Sequence, residues 1–229
     1  MNKLICFAAI ITIVGSCSKS SMPPPPKHGS CPKSSTPPPP TIESVTIGTQ
    51  VWMLKNLDVS TYRNGDLIPK VTDQKFWVGL STGAWCWYNN DSATYATTYG
   101  KLYNWYAVND PRGLAPTGWH IPSDVEWTTL STFLGGDAVA GGAMKETGIS
   151  HWVTPNTGAT NGSGFTGLPG GSRDNRGGFG FIENDGYWWS STELDATDAW
   201  SRYLGFYGSL LGRYSTTKQI GFSVRCLRD

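Results

Sequence analysis

Charge is scarce in this chain. Asp, Glu, Lys and Arg make up 15% of its 229 residues, and 18 basic side chains stand against 17 acidic ones. A near-neutral chain lacks the clustered positive charge that displaces counterions from a phosphate backbone, which argues against nucleic acid as a partner. Histidine and cysteine are equally thin. Beyond residue 41 only His120, His151, Cys86 and Cys226 remain, with no H-x-x-x-H or C-x-x-C spacing to suggest zinc. Ser123 and Asp124 stand close to His120, but they open a helix and already have a capping role, so a hydrolytic triad has little support. His120 is expected to order the turn between Trp119 and Pro122. Long apolar runs are missing too, apart from Leu4 to Val14, which falls short of the ~20 residues that span a bilayer.

That single run is informative. Behind the one-charge start Met1-Asn2-Lys3 it reads as the apolar core of an export signal. Val14-Gly15-Ser16-Cys17 follows it and resembles a bacterial lipobox, which predicts removal of residues 1–16 and acylation of Cys17. Processing removes Lys3, leaving 17 basic side chains against 17 acidic ones. Attachment to the membrane then rests on lipid alone, at ~0.8 kcal/mol per buried methylene. Residues 17–41 form a tether in which C-S-K-S-S-M-P-P-P-P recurs as C-P-K-S-S-T-P-P-P-P. Its proline runs favour extended polyproline II, with a reach of about 70 Å. Cys31 is then a copy of the lipobox cysteine without an apolar run before it: a relict thiol, or a site for an intermolecular bridge.

Residues 42–229 carry the globular domain, long enough for one sizeable core. All 11 tryptophans and all 10 tyrosines fall there. With little charge and much glycine, the expectation is irregular α+β structure built on large aromatic side chains, with short antiparallel strands, two or three short helices and long loops. Val45-Thr46-Ile47 and Val51-Trp52-Met53 around Gly48-Thr49-Gln50 predict a hairpin. Leu102, Trp105 and Tyr106 at helical spacing, with Thr98 as cap, predict a helix over 98–108. Ser123 and Glu126 form an S-x-x-E capping box before Trp127, Leu130 and Leu134, and Gly135-Gly136 ends that helix. A third short helix is expected over 138–146. Tyr187–Thr192, Ser201–Phe206 and Gly221–Leu227 read as strands of a terminal sheet, and 154–180 as loop.

Several segments together resemble a known family. Ile47-Gly48-Thr49-Gln50-Val51-Trp52-Met53, Tyr99-Gly100-Lys101-Leu102-Tyr103-Asn104-Trp105, Pro116-Thr117-Gly118-Trp119-His120-Ile121-Pro122-Ser123, Leu168-Pro169-Gly170-Gly171-Ser172-Arg173-Asp174, Tyr187-Trp188-Trp189-Ser190-Ser191-Thr192 and Gly221-Phe222-Ser223-Val224-Arg225-Cys226 occur in order. They are similar to the Fibrobacter succinogenes major paralogous domain over residues 42–229. Leu54-Lys55, where the family more often has Ala-Glu, is a peripheral departure. The family occurs in secreted and lipid-anchored bacterial proteins and implies no defined activity. Its W-H-[IV]-P and G-F-S-V-R elements are distantly similar to formylglycine-generating enzymes, which implies a C-type-lectin-like fold without fixing a function.

Those enzymes use cysteines to hold copper, and two domain cysteines give thin support for such a site. Cys86 and Cys226, the domain's only pair in an exported protein, are instead expected to form a disulfide, closing about 140 residues and adding ~3–5 kcal/mol. No cofactor is expected. Asn161, Asp174, Asn175, Glu183, Asn184 and Asp185 offer oxygen ligands that calcium could use, but ordinary Asx-turns account for them as well. The ligand surface is expected where the 154–185 loops meet Tyr187-Trp188-Trp189, with Trp200, Tyr203 and Tyr207 nearby. Trp188 and Trp189 must face opposite ways on a strand, which would make one core and free the other. Arg173 and Asp174 would orient the ligand, or form an ion pair with Arg225. The leading function is a surface-displayed, non-catalytic binding or adhesion module for a glycan or protein on the cell envelope, at the outer membrane. An enzyme derived from the formylglycine-generating group and a structural envelope protein are the alternatives.

Overall fold

Gly48 and Thr49 turn the chain between β1 (Ser44–Ile47) and β2 (Gln50–Met53), whose antiparallel register runs from Ser44↔Met53 to Ile47↔Gln50. The computed structural model describes residues 41–229, and Thr41–Asp229 is one compact unit. Cys17, the expected lipidation site, Cys31 and the proline-rich residues 17–40 lie outside the described residues. Along the chain follow α1 (Gln74–Trp77), β3 (Trp85–Cys86), a 3-10 turn (Tyr88–Asn90), α2 (Ser92–Tyr99), β4 (Leu102–Tyr103), α3 (Trp105–Val108) and β5 (Trp119–His120). Then come α4 (Asp124–Phe133), α5 (Asp137–Met144), β6 (Gly170–Arg173), β7 (Phe179–Ile182), β8 (Asp185–Glu193), β9 (Asp198–Gly205), β10 (Leu211–Thr217) and β11 (Leu227–Arg228). This is α+β structure with short helices. One sheet has the order β1-β2-β11-β5, a second β10-β9-β8-β6-β7, and β3 pairs with β4. All pairings between these strands are antiparallel except β6 with β8.

Three expectations about elements are corrected. No helix spans 98–108. Gly100, at φ 71° and ψ −157°, ends α2, and Leu102-Tyr103 pairs with Trp85-Cys86 as strand. A Cβ at Gly100 would lie 2.9 Å from the carbonyl of Leu57, so tertiary contact overrides the helical spacing. Segment 154–180 is not all loop, because Gly170–Arg173 is a strand between β7 and β8. Of 221–227, only Leu227 joins a named strand; Gly221, Phe222 and Ser223 dock through isolated bridges to Arg173, Tyr103 and Trp188.

The five-stranded sheet is covered on both faces. Trp188 enters a core with Trp52, Trp127, Trp152, Phe165 and Leu204, while Trp189 enters another with Tyr103, Trp105, Trp119, Phe222 and Val224. Alternation does send the two tryptophans to opposite faces, but each face meets a core and both are fully buried. The expectation that one of them is free at the surface is therefore overturned. Their indole N–H groups donate to Asn56 Oδ1 (2.8 Å) and to the Tyr103 carbonyl (2.8 Å).

Cys86 and Cys226 form no disulfide. Both are free, fully buried thiols: Cys86 packs with Trp77, Tyr88 and Leu102, and Cys226 belongs to the separate core around Trp189. Burial drives both thiols up, to about 11 for Cys86 and about 12 for Cys226.

Candidate functional site

Strand alternation builds one face from the residues upward. Asp185, Tyr187 and Trp189 on β8 lie opposite Gly205, Tyr203 and Ser201 on β9; Tyr203 and Ser201 lie opposite Gly212 and Tyr214 on β10. Residues opposite one another in register share a face, so these side chains form one patch. The basic residues of β9 and β10, Arg202 and Arg213, fall on the other face, where both bind the Asp124 carboxylate at 2.7–2.8 Å. The result is a cleft of about 310 Å³ walled by tyrosines and hydroxyls and lined by no lysine or arginine.

The tyrosine rings need room, and glycines supply it. A Cβ at Gly205 would lie 2.3 Å from the Tyr203 hydroxyl, and one at Gly212 would lie 2.6 Å from the Tyr214 ring. Tyr187 stacks on Phe222 with ring centroids 4.8 Å apart and planes 7° from parallel, and stands 5.3 Å from Tyr203. Tyr203 continues to Tyr207 and Tyr214, which are 63% and 54% exposed. Phe181, 57% exposed, extends the row 6.2 Å from Tyr187. Its φ of 67° puts a bulky residue in the left-handed region, a conformation that costs ~1–3 kcal/mol and often marks a functional surface.

Asp185 lies behind this row. The Tyr187 hydroxyl donates to its Oδ2 at 3.1 Å, and Oδ1 is buried with no hydrogen-bond partner among the described residues. Burial raises the Asp185 carboxyl, partly offset by hydrogen bonding from the two tyrosines. The phenols of Tyr187 and Tyr203 are also pushed up, first by burial, then by Asp185 beside Tyr187 and by the Tyr207 hydrogen bond at Tyr203. They remain neutral donors throughout the physiological range.

A larger cleft of about 510 Å³ lies beside Thr41, with Met53, Leu57 and Pro116 in its wall. Of its charged side chains, Glu43 and Lys55 bind each other at 3.1 Å and Asp58 binds Lys101, and no aromatic faces converge there.

The model of the Fibrobacter succinogenes major domain matches residues 45–228, nearly all of the described unit. The chain belongs to this family. That membership fits a cell-envelope protein, and among the described residues no helix is long and apolar enough to cross a membrane. No curated protein and no solved structure shows significant similarity to the chain.

Family segments prove to be structural braces. Arg173 is buried, not offered to a ligand: its guanidinium donates to the carbonyls of Val71 (2.6 Å), Thr72 (3.1 Å) and Gly177 (3.2 Å) and lies over Trp77. Asp174 is exposed but closes its own turn, accepting from the N–H groups of Arg176 and Gly178. Neither pairs with Arg225. That side chain, fully buried, donates to Asn56 Oδ1 and to the carbonyls of Met53, Leu54 and Phe165. Trp200 is half-buried, with the Arg213 guanidinium 3.4 Å from its ring centroid, so that face is already occupied. Of the residues expected at the ligand surface, Tyr207 lines the cleft together with its expected neighbours Tyr187 and Tyr203, whereas Trp188, Trp189, Trp200, Arg173 and Asp174 do not.

The remaining candidates also have partners. Asn161 closes a loop by accepting from the Thr166 N–H, and among the described residues no three His, Cys, Asp or Glu side chains group as a metal site. His120 is held between Asp229 (2.8 Å) and Glu126 (2.9 Å), while the Ser123 hydroxyl donates to Glu126 rather than to histidine. His120 therefore locks a strand to a helix cap, rather than ordering the turn alone. His151 faces Glu146 at 2.8 Å. Gly79-Leu80-Ser81-Thr82-Gly83 has the G-x-S-x-G spacing of a nucleophile elbow, but it runs from helix α1 into strand β3, the reverse of the turn that exposes such a serine, and no histidine lines its cleft.

Proposed function

We propose that this protein is a non-catalytic binding module of the bacterial cell envelope, anchored by lipid at Cys17 on the outer membrane, and that it takes a glycan or protein ligand in the tyrosine cleft. The observation that carries the reading is the continuous row Phe181, Tyr187, Tyr203, Tyr207 and Tyr214, in which Phe181, Tyr207 and Tyr214 are exposed and the four tyrosines add hydroxyls. Flat aromatic faces with polar tips suit ligands that are partly apolar and partly hydrogen-bonding. A non-catalytic role is supported by the engagement of His120 and His151 with carboxylates outside the cleft and by the burial of both thiols. Mixed short strands, short helices and long connections accord with a C-type-lectin-like core, the fold we assign to the family. The test is a glycan and protein-ligand array probed with the full chain carrying Cys17→Ala. Binding that Tyr207→Ala and Tyr214→Ala weaken together supports the cleft; binding that neither variant alters places the ligand elsewhere.

A further inference from the structure

Behind the cleft lies a charge imbalance that a neutral ligand would leave in place. Asp185 is 7% exposed, takes part in no ion pair among the described residues, and has one oxygen without a donor. A buried carboxylate is ordinarily matched by a cation or by several N–H donors. Here the strands turn Arg202 and Arg213 to the opposite face, where Asp124 takes both. Lys145 lies beneath the turn after β9, but its ammonium donates to the carbonyls of Thr157, Gly205 and Gly208 at 2.8–3.0 Å. Asp185 is not itself part of the cleft lining; it sits behind the Tyr187 hydroxyl, and the cleft in front is lined by Tyr187, Tyr203, Tyr207 and Tyr214, whose ring faces carry a negative potential that attracts cations. Gly205 and Gly212 preserve the space between them.

The geometry points to an organic ammonium group as what this cleft recognises: a positively charged nitrogen seated among Tyr187, Tyr203, Tyr207 and Tyr214 with Asp185 as its counter-charge. This rests on the reading that the cleft is the ligand site, and it names the chemistry that site selects. A quaternary nitrogen would use the ring faces alone. A primary ammonium, as on lysine, would also donate to the Thr216 hydroxyl in the cleft wall.

Calorimetric titration of the full chain with choline and with 3,3-dimethyl-1-butanol separates charge from shape, because carbon replaces nitrogen in the second. Choline should bind about tenfold or more tightly than the alcohol. Asp185→Asn and Tyr207→Ala should each weaken choline about tenfold, while Phe76→Ser, an exposed position on α1, should leave it unchanged. Nα-acetyl-lysine methylamide in the same titration distinguishes the source: tighter binding than choline assigns the site to lysine side chains, weaker binding to quaternary groups. Circular dichroism melting of Asp185→Asn checks folding, and Tyr207→Ala, at an exposed position, carries the test if that variant unfolds. Equal affinity for the alcohol and choline, or choline binding indifferent to both variants, overturns the inference. If neither ammonium probe binds yet an array oligosaccharide does so in a Tyr207-dependent way, the cleft reading survives and the ammonium assignment falls. If array ligands bind but ignore Tyr207 and Tyr214, both fall.

Discussion

Asn56 shows how much one side chain can hold. Its Oδ1 accepts from the Trp188 indole (2.8 Å) and from two nitrogens of Arg225 (2.9 and 3.1 Å), and its Nδ2 donates to the Tyr99 carbonyl and the Ser223 hydroxyl. Asn56→Ala leaves a buried guanidinium and a buried indole N–H short of an acceptor, so we expect a loss of about 2–3 kcal/mol in denaturant titration. Trp188→Ala should cost ~3–5 kcal/mol, because it opens a cavity beside Phe165. Tyr207→Ala should change stability by less than about 0.5 kcal/mol. The thiols give a further check. Burial keeps Cys86 and Cys226 protonated at pH 8, and only a thiolate reacts quickly, so iodoacetamide without reductant should label both after unfolding and neither before it. Failure to label them in the unfolded chain would mean that they are oxidised.

At the scale of elements, local chemistry was readable where it acts alone. The β1–β2 hairpin follows from its alternation and turn, and α4 follows from its capping box: the Ser123 hydroxyl accepts from the Glu126 N–H while Glu126 reaches back to the Ser123 N–H. Ser123→Ala should cost about 1 kcal/mol in thermal or chemical unfolding. The missed elements depend on neighbours distant in sequence. Gly170-Gly171-Ser172-Arg173 has no strand propensity, yet β6 sits inside the sheet because a Cβ at Gly171 would lie 2.5 Å from the Gly180 carbonyl. The cleft was partly legible as the alternation Asp185-x-Tyr187-x-Trp189, Ser201-x-Tyr203-x-Gly205 and Gly212-x-Tyr214-x-Thr216, but only register puts the three on one patch. Tryptophan drew the expected site instead, and tryptophan is what both cores consume. The tie between β5 and α4 is sensitive to pH. Partial burial lowers His120, but the hydrogen bonds its ring donates to the carboxylates of Asp229 and Glu126 outweigh it and raise the imidazole above its ordinary value. Its contribution to stability is therefore complete below about pH 6.5 and is lost as pH rises through the raised value. His120→Gln should flatten the pH dependence of stability in that window, and an NMR titration should place the wild-type midpoint above about 6.5.

Over the whole molecule, family membership fits a cell-envelope protein, while strand register is what assembles the tyrosine cleft proposed as the ligand site. Anchoring is tested directly: Cys17→Ala should move the protein from the membrane fraction to the soluble one, as seen by sedimentation and blotting. A wider consequence comes from β2, an inner strand of the four-stranded sheet. Trp52 on β2 is the register partner of Val45 on one side and of Leu227 on the other. Adjacent strands lie about 4.8 Å apart, so the first and last strands of the domain run within about 10 Å of each other. Because β1 and β11 are both antiparallel to β2, they run parallel, so joining 229 back to 41 takes a crossing link of about a dozen residues; with that link, reopening the chain at the exposed stretch 147–150 should give a rearranged polypeptide that folds with the same tyrosine cleft. In such a fold the order of segments along the chain is a matter of ancestry rather than architecture.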